Sequence, residues 1–282
     1  MPIDRAATLR NAEKLLRQGK LEPAIAEYRR VVDDQPADWN TANTLGDLYV
    51  KANLTEKAVE QYIRIADHLN EEGFLPKAAA LYKKILKLKP DHEHALLQAG
   101  EIAASQGTLA DARSLLSQVI MRRAARNDAR GAAQVRIRLG TLDPTDYEGR
   151  VSAANARVEI GDKTGAVRDL KEIAAELLDK ERPKESLEAL RQAAKLAPGD
   201  EEIRAQLLQV YLVSGDFARA RECATTGAQF KDLASRLDAR GRADEAMTML
   251  REAARVDPSD VELRTHLART FAARGDMAAA AE

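Results

Sequence analysis

Residues 24–36, AIAEYRRVVDDQP, decide the fold. Ala24 is followed one turn later by Tyr28; Ile25, Val31 and Val32 continue a helical stripe, and Pro36 ends it. Residues 78–90, AAALYKKILKLKP, repeat the plan 54 positions on, with Ala78, Tyr82 and Pro90 in the same places. Pro144 and Pro198 keep that step. So do Gly107, Gly161 and Gly215, and Gly275 follows after 60 residues. Helix punctuation at a fixed interval means an internal repeat. A repeat array offers an extended surface, so binding is the default reading rather than chemistry.

Working outward, residues 5–19 form a preceding helix: Leu9, Ala12, Leu15 and Leu16 make its stripe and Gly19 ends it. The next hairpin carries Leu45, Gly46 and Tyr49, then Ala58, Tyr62 and Ile65. Gly46 lets the paired helix approach the backbone. The trailing motif recurs as DDQP, KLKP, TLDP, KLAP and RVDP, which puts Asp38, Asp91, Asp146, Asp200 and Asp260 at N-cap positions. Ser259 with Glu262 fits a capping box.

These hairpins resemble tetratricopeptide repeats, 34-residue helix–turn–helix units with small residues where the helices cross. The second-helix small residues fall at Ala24, Ala58, Ala78, Ala112, Ala132, Ala166, Ser186, Ala220, Ala246 and Ala280. Their spacing alternates between 34 and 20, except for one step of 26 near residues 223–235. A 20-residue step holds one helix and a turn. The unit is therefore a 54-residue super-repeat of three helices, each of about 14–15 residues with short connections. The helices near 55–71 and 163–179 each serve two hairpins. The resemblance implies an all-α solenoid of about 16 or 17 antiparallel helices in a right-handed superhelix. Residues 1–282 are read as one continuous array, irregular near 223–235. The last residues, GDMAAAAE, stop inside a second helix, so the array is expected to continue or to fray there, with Met277 uncovered.

Lys plus Arg is 44 and Asp plus Glu is 45, so a net charge of −1 gives no general pull toward nucleic acid or anionic lipid. With one cysteine, Cys223, no disulfide forms within the chain. No stretch approaches the roughly 20 apolar residues that span a bilayer, and a cytoplasmic setting is expected. Phosphate-binding glycine loops are absent. His92, Glu93 and His94 read as helix-start residues rather than metal ligands, His68 and His266 as surface histidines, and Cys223 as a small hydrophobe. No catalytic residue, metal or cofactor is expected.

Two surfaces remain. Arg122, Arg123, Arg126, Arg130, Arg136 and Arg138 fall within 17 residues and form a candidate patch for an acidic partner. The resemblance also implies a concave groove lined by first helices, holding a peptide or a protein face. Its lining residues here are Asn40, Asn43, Asp47, His94, Gln98, Glu101, Asn155, Gln206 and Gln209. Carboxamides donate and accept at once, so they suit a peptide main chain. Leu9 and Glu13 stand where a carboxylate-clamp family member has lysine and asparagine, so no such clamp is expected. The leading reading is a non-catalytic interaction scaffold. The alternatives are the recruiting region of an enzyme continuing past Glu282, and an RNA-binding helical repeat resting on the arginines.

Overall fold

The computed structural model describes residues 3–273, and every described element is an α-helix. Contacts divide the chain into two compact units, residues 1–144 and 145–282. The first unit holds α1 (Arg5–Arg17), α2 (Leu21–Asp34), α3 (Trp39–Lys51), α4 (Thr55–Glu71), α5 (Leu75–Leu88), α6 (Glu93–Ser105), α7 (Leu109–Ala125) and α8 (Ala129–Gly140). The second holds α9 (Tyr147–Glu159), α10 (Lys163–Asp179), α11 (Pro183–Leu196), α12 (Glu201–Ser214), α13 (Phe217–Cys223), α14 (Gly227–Asp238), α15 (Ala243–Val256) and α16 (Val261–Ala273). The expected count of 16 or 17 meets 16 among the described residues. Gly275, Met277 and Ala280 lie outside them.

The 54-residue period governs the architecture. Helices α3, α6, α9 and α12 start at residues 39, 93, 147 and 201, and α4, α7, α10 and α13 start at 55, 109, 163 and 217. Helices α4, α7 and α10 each run 17 residues, longer than their neighbours. That length lets one helix serve two hairpins: α4 packs against α3 before it and α5 after it, and α10 likewise against α9 and α11. On α4, Ala58, Val59, Tyr62, Ile65 and Ala66 are all buried, a stripe wide enough for both neighbours.

Small residues sit where helices touch. The Tyr62 ring lies on Gly46, where a Cβ would come within 2.6 Å of the ring, and Leu116 lies on Gly100 with 2.9 Å for the same test. The third repeat places buried Ala154 there against buried Leu170. Among the second-helix positions, Ser186 is the polar member. It is fully buried and donates its hydroxyl hydrogen to the Ala174 carbonyl at 2.7 Å, so the burial carries no unmet hydrogen bond.

Helix ends follow local chemistry. Asp38, Asp146 and Asp200 accept from backbone N–H groups of the first turns of α3, α9 and α12. Two expected caps shift by one residue or to another partner. Helix α6 is capped by His92, whose Nδ1 accepts from Ala95 N–H, and not by Asp91. Helix α16 is capped by Asp260 through Leu263 N–H, and Ser259 instead donates to Asp257, so Ser259 and Glu262 form no capping box. The box that does form is Thr226 with Gln229 at α14. It follows a break: the fourth long helix stops at Cys223, Ala224 is extended, and α14 restarts at Gly227. Gly227 lies close to α15, where a Cβ would meet that of Asp257 at 3.1 Å.

In the first unit the main core gathers Tyr28, Leu45, Tyr49, Tyr62, Ile65, Tyr82 and Ile85, and a second cluster joins Leu96, Leu116, Val119 and Val135. In the second unit the large buried side chains around α10 and α11 are Leu170, Ile173, Leu177 and Leu190, and Phe217, Phe230 and Leu233 lead the cluster beyond them.

Candidate functional site

The tyrosine wedges of the first unit end in carboxylates. Tyr62 donates to Asp47 Oδ1 at 2.5 Å, and Tyr82 donates to Asp67 Oδ1 at 2.5 Å. Each pair is 15 residues apart. Burial, then the hydrogen-bonded carboxylate, pushes both phenols well above their ordinary range. They stay neutral donors and pin the aspartates in place.

Each pinned carboxylate then reaches a helix two further along. Asp47 on α3 pairs with Lys84 on α5 at 3.0 Å, and Asp67 on α4 meets His94 Nε2 on α6 at 2.8 Å. Glu101 on α6 pairs with Arg138 on α8 at 2.8 Å. The Asp47–Lys84 and Glu101–Arg138 pairs both span 37 residues and are one repeat apart, so they are the same rung used twice. Between them, Asn70 donates to Gln98 Oε1 at 3.1 Å.

These bridges locate the expected groove residues. Helices pack in chain order, so helices two apart share a side of their unit. Asn40, Asn43 and Asp47 sit on α3, on the side bridged to α5. His94, Gln98 and Glu101 sit on α6, on the side bridged to α4 and α8. An odd number of helices per repeat moves equivalent residues to the opposite side at each step. Within the first unit the six expected lining residues it holds therefore fall in two sets and not one row. Asp47, His94, Gln98 and Glu101 are engaged within the protein, while the Asn40 and Asn43 side chains make no hydrogen bond among the described residues.

In the second unit the rung changes chemistry. The positions of Asp47 and Glu101 are taken by Asn155 on α9 and Gln209 on α12, and that of Lys84 and Arg138 by Gln192 on α11. None of these three side chains makes a hydrogen bond among the described residues, and Asn155 and Gln209 are exposed. Gln206 is half-buried, with its Oε1 buried and unpartnered. Gln209 and Gln206 share α12, which Lys171 ties to α10 through Asp200 at 3.3 Å, so they too lie on a different side from Asn155.

The arginine cluster is largely internal. Arg123 and Arg126 both pair with Glu93, Arg123 also donates to the Gly131 carbonyl, Arg122 lies 3.9 Å from Asp91, and Arg138 holds Glu101. Arg136 is half-buried on α8 and is also engaged. Arg130 is exposed at the start of that helix and makes no ion pair among the described residues. Arg122, Arg123, Arg126 and Arg138 thus tie α7 and α8 to α6 and the turn before it, while Arg130 stays open.

Other singled-out residues have structural surroundings. Burial, with His94 and Lys89 beside it, holds His92 below the ordinary histidine range, which suits its role as a neutral acceptor at the α6 cap. Trp39 stacks on His68 with ring centres 4.2 Å apart. Burial and then Glu222 push the Cys223 thiol up, opposite to what a reactive thiolate needs. Among the described residues no three His, Cys, Asp or Glu side chains gather as a metal site, and no helix is long and apolar enough to cross a membrane.

The sequence reading missed Lys84, Asp67 and Asn70 as partners; for Lys84 the 37-residue acid-to-base offset, repeated at Glu101 and Arg138, was the available signal. It also missed a groove in the second unit. That groove has a volume near 380 Å³, a floor of Ala243, Ala246, Met247 and Leu250 from α15, and walls from α14 and α16.

Comparison with known proteins supplies a family. Residues 9–73 and 63–129 match one tetratricopeptide repeat model, residues 177–233 a second and residues 227–270 a third. The BBSome complex member BBS4 of Bos taurus is 24% identical over 237 residues, covering 74% of this chain and 42% of that protein. The DnaJ homolog subfamily C member 3 of Rattus norvegicus is 25% identical over 224 residues, covering 75% and 40%. The chain thus spans about two fifths of the length of these curated relatives. A solved tetratricopeptide repeat protein from Parabacteroides merdae is 13% identical with a TM-score of 0.23, covering 99% of both chains.

Proposed function

The chain belongs to the tetratricopeptide repeat family, and from that premise we propose that it is a non-catalytic scaffold that holds a peptide segment or protein face on its helical surface. The observation that carries this reading is the state of the carboxamides. Asn155, Gln192 and Gln209 offer donors and acceptors that the fold itself leaves unused among the described residues. A partner's main chain satisfies such groups without demanding a particular side chain. Asn40 and Asn43 offer the same chemistry in the first unit. Asp47, His94, Gln98 and Glu101 contact a partner only by giving up an internal bond. The arginine cluster adds no support for an RNA reading, because Arg123, Arg126 and Arg138 hold acids of α6 and Arg122 lies beside Asp91.

Photo-crosslinking residues placed singly at Asn40, Asn43, Asn155 and Gln209 in the producing cell test the proposal. Discrete protein adducts at Asn155 or Gln209 are expected. Absence of adducts at all four positions sinks it.

A further inference from the structure

We propose that the groove between α14 and α16 takes a basic peptide segment, seating one aliphatic side chain on α15 and one lysine or arginine at Asp238. This rests on the scaffold reading and names the partner chemistry at one place. The floor is apolar: Ala246 is buried, and Met247 and Leu250 are half-exposed. A volume near 380 Å³ lies within the range of small-ligand clefts.

The charges decide the occupant. At the start of α14, Lys231 pairs with Asp260 at 2.7 Å, so that end of the groove is neutral. At the other end Asp238 is the last residue of α14, and its carboxylate makes no ion pair or hydrogen bond among the described residues. The carbonyl end of a helix already carries partial negative charge, so a carboxylate there is unfavourable on its own and attracts a cation. Arg236 in the same turn is engaged with Asp232 at 3.0 Å. His266 and exposed Ser235 line the middle of the groove. An acidic segment would meet the Asp238 carboxylate. A basic one gains an ion pair and covers Met247.

The test is fluorescence anisotropy with the full chain and a fluorescein-labelled, acetylated and amidated alanine octapeptide bearing one leucine and two lysines. Saturable binding is expected, weakened by Asp238→Asn about fivefold at low salt and less at high salt, the size of one partly exposed ion pair. Ser235→Trp, which fills the groove from an exposed position, should abolish binding while leaving the circular dichroism unchanged. The analogue with glutamates for lysines should not bind. No binding by the parent protein, equal binding by both variants, or equal binding of the acidic analogue overturns the inference. Adducts at Asn155 or Gln209 alongside such a failure would leave the scaffold standing and remove only this groove. Saturable binding here without any adducts would do the reverse.

Discussion

The same rung closes in the first unit and stays open in the second. Asp47–Lys84 and Glu101–Arg138 are ion pairs between helices two apart, and Asp47 is also held by the Tyr62 hydroxyl. One repeat later the rung is Asn155 with Gln192, and the two amides do not bond. The wedges differ too, though not in step with the rung: buried Tyr62 and Tyr82 correspond to buried Leu170 and Leu190 in the second unit, but Leu116 already takes the Tyr62 position beside the closed Glu101–Arg138 rung. A tyrosine tip brings a polar atom to the rim and anchors Asp47 and Asp67 there, while Glu101 is held by Arg138 without one. Both units carry ion pairs between helices two apart, Lys171–Asp200 and Arg221–Glu252 among those of the second, so the contrast is confined to this rung position, which is charged in one unit and an open amide pair in the other.

The contrast breaks most readily at the wedges. Tyr82→Ala should destabilise the first unit by roughly 3–5 kcal/mol through cavity formation and the loss of the Asp67 anchor. Fluorescence of Trp39, the single tryptophan, reports that unit's thermal unfolding selectively. Leu190→Ala should shift circular dichroism and leave the Trp39 transition in place. A shift of the Trp39 transition in both variants would mean that the two units unfold together.

Next in size is Gly46→Val, which should cost about 2–3 kcal/mol because the added carbons collide with the Tyr62 ring. The equivalent Ala154 already carries a Cβ against leucine, so Ala154→Gly should cost nearer 1 kcal/mol, from helix propensity and a small void. Equal costs at the two sites would show that the tyrosine wedge is not the tighter contact.

Acid gives a smaller effect. The depressed His92 binds its proton more weakly folded than unfolded, so its contribution is present above the ordinary value of 6.5 and fades as pH falls below it. The cap is worth about 1 kcal/mol. Trp39-detected stability should fall from pH 7.5 to pH 5 more steeply in the parent than in His92→Asn, which keeps a cap without a titrating ring. Parallel pH curves would reassign the cap.

The smallest effect belongs to the rungs. Both charges of the Asp47–Lys84 pair are nearly half exposed, so Asp47→Asn should cost only a few tenths to about 1 kcal/mol and less in high salt. Asn155→Ala should be neutral within about 0.5 kcal/mol. A large, salt-independent loss at Asn155 would contradict the open rung.

Much of the fold was legible because its signals are local. Pro36, Pro90, Pro144 and Pro198 stand just past helix ends, and the long helices over 55–71 and 163–179 match the stretches expected to serve two hairpins. His92 displaced Asp91 as a cap because a single-residue offset turns on which side chain meets the first free N–H, and composition does not set that. The candidate site was less legible. Nine residues chosen by repeat position do share a position in the hairpin, yet a three-helix repeat sends alternate copies to opposite sides. The arginines looked like a patch because their partners, Asp91, Glu93 and Glu101, lie about 30 or more residues earlier.

By itself the sequence determined where helices start and stop, their 54-residue period, and which small residues lie at crossings. Those follow from backbone conformations and side-chain sizes that act within one or two turns. Only the tertiary structure decided which surface groups remain free. A charge is open or closed according to what stands opposite it, and that neighbour arrives from two helices away.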